Sequence, residues 1–314
     1  MQNLKKIKLL LTGAFHYTEE QLEQLKNSGF EITFIQDERV KTDIDCSEFE
    51  AVVCNGFFLY NDIERFRSLK MIQATSAGLD RLPLDFIKKN GIMLKNARGV
   101  YSIPMAEWCI CRILDIYKYS CFFDENQKNK VWQKHRGLRE LSGKRAVILG
   151  AGDVGSRTAE RLKAFGVKIT AADKVKPQYD IYDEYCKMED LDTVLKESDI
   201  IIITLPLTSE TRGIFDERRL GILKADSILI NMARGGIVDE KALVSALKKG
   251  TPGYAVLDVF EEEPLDKDSI LWDIQNLIIS PHNSFVSEKN SERMFEVIYK
   301  NLNEYFCIVP KSVS

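Results

Sequence analysis

The chain has 314 residues, 45% of them hydrophobic and 29% charged, with a net charge of −3. That length accommodates two domains, each with its own core, and the composition is that of a globular chain. The near-neutral balance excludes a basic footprint for nucleic acid or a membrane surface, and no run approaches the roughly 20 apolar residues of a membrane span.

In chain order, residues 1–15 place lysines ahead of Ile7-Lys8-Leu9-Leu10-Leu11, a stretch too short and too broken for a leader, so a first strand is expected. Further strands are predicted at 31–35, 51–54, 71–75 and 92–94. Helices are predicted at 18–27, where Thr18 can cap, and at 83–89, where Pro83 suits a first turn. This alternation is an α/β unit. Residues 103–118 then read as one long helix. A second series follows with strands at 145–149, 167–172, 199–205, 227–231, 254–259 and 277–280. The run Ile200-Ile201-Ile202-Ile203 is continuous, as in a parallel strand covered on both faces. After Ser284 a helical stretch to about Phe306 is expected to pack back on the first unit, making that unit discontinuous. The seven cysteines are scattered. The nearest pair, Cys109 and Cys111, has neither metal nor redox-motif spacing, so reduced thiols, no metal site and a cytoplasmic location are expected.

The chemistry begins at Gly150-Ala151-Gly152-Asp153-Val154-Gly155. This loop follows the apolar run Ala146-Val147-Ile148-Leu149 and precedes a helix-like stretch at 156–165. Asp173 closes the next apolar run about 20 residues on, the spacing of a dinucleotide fold. Gly150 permits the tight turn, Gly152 lets the backbone approach a pyrophosphate at the helix's positive end, and Gly155 lets helix and strand pack closely. Asp173 suits the adenosine ribose hydroxyls and repels a 2′-phosphate, favouring NAD over NADP. Lys174 and Lys176 are either solvated charges or cations that could hold such a phosphate.

Three polar residues lie downstream, each near the end of an apolar run: Arg234, Glu263 and His282. Each has a plain alternative. Arg234 could be a surface arginine on a turn, Glu263 part of a solvated acidic run, and His282 a structural histidine.

The blocks Asn231-Met232-Ala233-Arg234-Gly235-Gly236-Ile237-Val238-Asp239, Asp258-Val259-Phe260-Glu261-Glu262-Glu263-Pro264-Leu265 and Ser280-Pro281-His282-Asn283 resemble the signatures of the D-isomer-specific 2-hydroxyacid dehydrogenases. The glycine loop and Leu205-Pro206-Leu207-Thr208 fit the same family in the same order, so the resemblance spans residues 50 to 285 or so. It implies an α/β fold of two doubly wound parallel-sheet domains. A Rossmann NAD-binding domain, 99–285, would be inserted in a discontinuous flavodoxin-like substrate domain, 1–98 and 286–314. It also implies that Arg234 grips the substrate carboxylate and that His282 acts as general acid in keto-acid reduction and as base in reverse. Glu263 would orient the imidazole and favour its protonated form. Asp258 would bind the nicotinamide carboxamide, while Asp153, Val154, Leu205, Pro206, Thr211, Met232 and Ala233 would line the cofactor. Ser76-Ala77-Gly78 matches the substrate-carboxylate loop, through backbone N–H groups at Ala77 and Gly78. The departures are Asn283, where many members carry a small apolar residue, and Ser-Ala-Gly in place of Gly-Val-Gly. Tyr101 and Trp132 fall where either the pocket or a subunit contact is possible.

The implied activity is reduction of a small 2-keto acid to the D-2-hydroxy acid. Phosphoglycerate and hydroxypyruvate/glyoxylate dehydrogenases of the same family are alternatives, as is an NAD-sensing binding protein. Formate dehydrogenase shares the fold but pairs its histidine with glutamine, and Glu263 argues against it. About 30 residues follow His282, too few for an appended regulatory domain. A homodimer is expected, because residues 103–118 and 121–141 resemble the family's dimer-forming arm.

Overall fold

The computed structural model describes residues 6–178 and 180–307. Residues 1–5 and 308–314, which the leader-like start and the expected first domain include, lie outside the described residues. The chain opens with β1 (Ile7–Thr12), α1 (Glu19–Asn27), β2 (Phe30–Ile35), β3 (Ala51–Cys54), β4 (Met71–Ala74), α2 (Leu84–Lys89) and β5 (Met93–Lys95). Next come α3 (Ser102–Lys118), α4 (Ser120–Lys128), β6 (Arg145–Leu149), α5 (Asp153–Ala164), β7 (Lys168–Asp173) and β8 (Glu184–Lys187). They are followed by α6 (Leu191–Glu197), β9 (Ile200–Ile203), α7 (Glu217–Gly221), β10 (Ile228–Asn231), α8 (Glu240–Lys248), β11 (Tyr254–Leu257), β12 (Leu277–Ile279) and α9 (Asn290–Tyr305). Two compact units result, with borders between Tyr101 and Ser102 and between Val286 and Ser287.

The first unit holds a parallel five-stranded sheet in the order β2-β1-β3-β4-β5, the flavodoxin-like winding. Side chains alternate across it. Leu9, Leu11, Val53 and Met71 pack to one face with Leu25 of α1 and with Met294, Phe295, Ile298 and Leu302 of α9. Leu10, Val52 and Ile72 pack to the other face with Phe57, Phe66 and Ile87. The last helix therefore completes the first core. Ala97 and Val100 are buried in it as well, and the Tyr101 hydroxyl donates to the Thr75 carbonyl at 2.6 Å. These anchors carry the border three residues past the expected 98/99. Thr18 caps α1 in a reciprocal box with Gln21. Pro83 stands one place outside its helix, as the cap of α2 rather than its first residue.

The second unit is a parallel sheet of seven strands, β12-β11-β10-β9-β6-β7-β8. Counted within the unit this is 7-6-5-4-1-2-3, the Rossmann winding with one extra edge strand. Val147, Leu149, Ile201 and Ile203 enter one core cluster, and Ala146, Ile148, Ile200 and Ile202 the other. All four isoleucines are fully buried, each contributing about 1.5–3 kcal/mol relative to exposure. A charge at Ile201 or Ile202 would break the sheet at its centre. Six strands were expected here and seven form: β8, Glu-Tyr-Cys-Lys in sequence, is an edge strand with one buried side chain. Its polar pattern gives no periodic signal.

Candidate active site

The strand tips of the second unit build two adjoining turns. At the first, Gly150 adopts φ +95°, and a Cβ there would meet Leu205 N at 2.9 Å. At Gly155 a Cβ would meet the Gly150 carbonyl oxygen at 2.2 Å and the Ile148 side chain at 3.1 Å. At Gly152, the cap of α5, a Cβ would meet nothing within 4 Å. Tightness at the first and third glycines and open space at the second are what a pyrophosphate on the twelve-residue α5 requires. The helix starts at Asp153, three residues earlier than expected, so its first-turn N–H groups open onto the glycine turn. Asp173, at the tip of β7, accepts from Ala151 N–H at 2.8 Å and Lys174 N–H at 2.7 Å. The Lys174 ammonium lies 2.6 Å from Glu210. These residues fit a dinucleotide.

The other expected cofactor residues divide between surface and scaffold. The Asp153 carboxylate accepts from the Ser102 hydroxyl at the start of α3. The Val154 carbonyl accepts from Thr158 at 2.9 Å. Leu205, Met232 and Ala233 are buried. Thr211, also buried, donates to the Pro206 carbonyl at 2.7 Å and accepts from Thr208 N–H at 2.8 Å, closing the turn beyond β9.

Arg234, Glu263 and His282 come from the loops after β10, β11 and β12. Buried Asn231 shapes the first loop: its amide donates to the Arg234 carbonyl at 2.9 Å, and its oxygen accepts from Ala233 N–H at 3.1 Å. The Arg234 guanidinium donates to the Ala233 carbonyl at 2.7 Å. At Gly235 a Cβ would lie 1.9 Å from the Phe260 carbonyl carbon. Only glycine permits the Arg234 loop to press so closely on the loop that carries Glu263.

Glu263 Oε2 lies 2.7 Å from His282 Nδ1, and its other oxygen accepts from Phe260 N–H at 3.0 Å. The carboxylate is thus held at both ends, and its contact leaves Nε2 as the imidazole's outward nitrogen. Of the acidic run, Glu261 is tied by its N–H to Glu240 at 2.7 Å, while Glu263 alone reaches the histidine. Burial, with the charges of Glu261 and Glu262 adding to it, pushes the Glu240 carboxyl above its usual value.

His282 stands at φ +50°, a conformation rare for a side chain of this size. Asp258 holds it there. Its fully buried carboxylate accepts from Ser280 Oγ at 2.5 Å, from Asn283 N–H at 2.8 Å and from Ser284 N–H at 3.0 and 3.2 Å. Its carbonyl accepts His282 N–H at 2.8 Å, and its own N–H donates to Asn231 O at 3.0 Å. Asn231, Gly235, Ser280 and Ser284 are supports that sequence reasoning missed. Asn231, Gly235 and Ser280 are signalled only by membership of the family blocks, and Ser284, one place beyond the last block, has no signal.

In the first unit, the Ser76 hydroxyl donates to Gly78 O at 2.7 Å and Asn96 donates to Ala77 O at 2.8 Å. Among the described residues, no hydrogen bond uses the N–H groups of Ala77 and Gly78, so both are available to an anion. Burial pushes the Tyr101 phenol up to about 12. Trp132 is 99% exposed. Among the described residues, no three His, Cys, Asp or Glu side chains group as metal ligands, and no helix is long and apolar enough to cross a membrane.

Comparison with known proteins shows what the chain is similar to. The model of the family described as D-isomer specific 2-hydroxyacid dehydrogenase, NAD binding domain, matches residues 110–284. A glyoxylate reductase of Thermofilum pendens is 36% identical over 242 residues, 75% of this chain and 71% of that protein. A D-3-phosphoglycerate dehydrogenase of Archaeoglobus fulgidus is 31% identical over 275 residues, 84% of this chain but only 51% of that one. A solved D-isomer specific 2-hydroxyacid dehydrogenase family protein from Aeromonas salmonicida superposes with a TM-score of 0.80. It is 28% identical and covers 98% of each chain.

Proposed function

The chain belongs to the D-isomer-specific 2-hydroxyacid dehydrogenases, and from that premise we propose that it reduces a small 2-keto acid to the D-2-hydroxy acid, and the reverse, using NAD. The observation that carries the reading is the 2.7 Å contact between His282 Nδ1 and Glu263, in a unit that also holds a dinucleotide turn and Arg234.

In this mechanism the second unit takes the cofactor, with pyrophosphate on the N–H groups after Gly152 and ribose on Asp173. When bound, the nicotinamide supplies or accepts a hydride at the substrate's C2. The chain's own residues do the rest. Arg234 forks onto the substrate carboxylate and polarises the keto group. Protonated His282 gives its Nε2 proton to the keto oxygen as negative charge develops there. Glu263 opposes the imidazolium charge and fixes the ring, and Asp258 fixes the loop that carries it. The N–H groups of Ala77 and Gly78, in the unit assigned to substrate, are the further carboxylate donors that the family resemblance implies. The preference for NAD over NADP is supported by the Asp173 carboxylate and by the pairing of Lys174 with Glu210.

The test is NADH oxidation at 340 nm against glyoxylate, hydroxypyruvate, pyruvate, phenylpyruvate, 2-ketoisocaproate, oxaloacetate and phosphohydroxypyruvate, with NADPH in parallel. Turnover is expected with NADH and at least one acid. Tight NADH binding with no turnover of any acid would instead indicate an NAD-sensing protein.

A homodimer is part of the same proposal. Phe123 of α4 and Val131, Trp132 and Leu138 beyond it are exposed apolar side chains on the segment that resembles the family's dimer arm. A monomer mass by light scattering at micromolar concentration would refute it.

A further inference from the structure

The strand order of the first unit reverses between β1 and β3. In doubly wound sheets the crevice beyond that switch point is where ligands enter, and free N–H groups there bind anions. In this chain the place is filled from within. Glu38, on the segment after β2, accepts the Thr12 hydroxyl at 2.8 Å and Asn55 N–H at 3.0 Å through Oε2, and Gly56 N–H at 2.6 Å through Oε1. Thr12 ends β1, while Asn55 and Gly56 follow β3, so one carboxylate ties both sides of the switch point. Among the described residues no cation pairs with it. Nearby, the Asn55 side-chain oxygen is buried with no hydrogen-bond partner, so the tip is rich in acceptors. The Cys54 thiol is pushed well above its usual value, first by burial and further by the Glu38 charge.

This tip adjoins the substrate loop. Cys54 of β3 pairs with Ala74 of β4, and Thr75 N–H donates to Cys54 O at 2.9 Å. The Ser76-Ala77-Gly78 loop thus starts one strand away from Asn55, a spacing of about 5 Å.

We infer that Glu38 is a specificity-determining residue that restricts the enzyme to 2-keto acids without a second anionic group and excludes phosphorylated ones. The inference rests on the proposed reading of the Ser76 loop as a seat of the substrate carboxylate. A three-carbon acid seated there brings its C3 substituent within a few ångströms of the β3 tip. A hydroxyl or hydrogen at C3 is accepted. A phosphoryl group meets a fixed negative charge, and the two N–H groups that would otherwise receive it are already occupied. At such separations, with partial solvent screening, the discrimination should reach at least about 10-fold.

The experiment measures kcat/KM for glyoxylate, hydroxypyruvate and phosphohydroxypyruvate in the parent and in Glu38→Gln, with thermal melts of both. The parent should favour hydroxypyruvate over phosphohydroxypyruvate by at least about 10-fold, and the variant should narrow that ratio at least threefold. A role confined to holding the loop would lower all three values together and leave the ratio unchanged. An unchanged ratio in a folded variant, or a parent that reduces both acids equally, overturns the inference. Should the variant fail to fold, the parent's ratio between low and high salt decides. Screening must narrow it, and a ratio indifferent to salt overturns the inference. A parent that reduces none of the seven acids of the functional test with either cofactor overturns the proposed function itself, whereas reduction without discrimination overturns this inference alone.

Discussion

Replacing Asp258 by asparagine tests whether the left-handed histidine loop is held by one buried carboxylate. In the parent that carboxylate accepts from Ser280 Oγ, Asn283 N–H and Ser284 N–H, the last through both oxygens. Asparagine keeps the shape but offers one acceptor oxygen, and its amide must face a donor. With its oxygen at the Oδ1 position, Ser284 N–H keeps only the longer 3.2 Å contact and faces the amide N–H where it had a 3.0 Å acceptor, at a cost of about 1–3 kcal/mol. Because His282 sits inside that loop at φ +50°, the cost falls on the arrangement that presents the imidazole. At about 1.4 kcal/mol per factor of ten, the competent population drops roughly 5- to 150-fold. Steady-state reduction of the best keto acid should show kcat reduced by that factor. NADH affinity, followed by fluorescence, should change less than threefold, since Gly150, Gly155 and Asp173 are untouched. A variant with parental kcat and melting temperature would refute the clamp. A large loss of NADH affinity with kcat preserved would favour direct contact with the nicotinamide carboxamide instead.

Other expectations are simpler. His282→Asn should lower kcat by about 10²–10⁴-fold with smaller changes in KM; parental kcat would remove it from the chemistry. Arg234→Ala should raise KM for the keto acid and lower kcat, and unchanged kinetics would contradict its role. In Gly155→Ala the new methyl meets the Gly150 carbonyl oxygen at 2.2 Å. Backbone there cannot yield cheaply, so NADH binding should weaken at least about 10-fold by titration, and parental affinity would place the cofactor elsewhere. Asp192 of α6 pairs with Arg218 and, at 2.8 Å, with Arg219, and these partners lower its carboxyl from the usual 3.8. A lowered folded value means stabilisation that is full above the unfolded value and lost as pH falls through the folded one. Asp192→Ala should therefore melt lower at pH 7 by an amount worth about 0.5 kcal/mol for this partly exposed pair. That difference should close below about pH 4, and a gap that widens in acid would contradict the pairing.

Most of the architecture could be read from periodicity, because buried parallel strands such as Ile200-Ile201-Ile202-Ile203 announce themselves. Boundaries were less legible where a polar contact ends a ladder. The apolar run predicted over 199–205 leaves the sheet at Ile203, since Thr204 turns its hydroxyl onto the Gly150 carbonyl at 2.6 Å. The run over 254–259 stops at Leu257, because Asp258 begins the histidine clamp. α5 begins at Asp153, ahead of the expected 156, because close packing on Ile148 demands glycine at 155, a residue unfavourable in a helix by propensity. Within the site, Arg234, Glu263 and His282 could be found from their blocks. Glu38 could not. In Gln36-Asp37-Glu38-Arg39 it looks like any solvated charge, and its meaning comes from donors 17, 18 and 26 residues away.

The return of α9 to the first core has a consequence for how the chain is made. The second unit is a single stretch, but the first waits on a helix beyond the 185 residues of Ser102–Val286. At about 5–20 residues per second, a ribosome takes roughly ten to forty seconds to deliver that helix. Throughout that interval the apolar face formed by Leu9, Leu11, Val53 and Met71 has α1 on it but lacks the cover of Met294, Phe295, Ile298 and Leu302. The segment synthesised first belongs to the unit whose folding finishes last, and until then its sheet carries exposed apolar surface, the feature that makes nascent chains prone to aggregate.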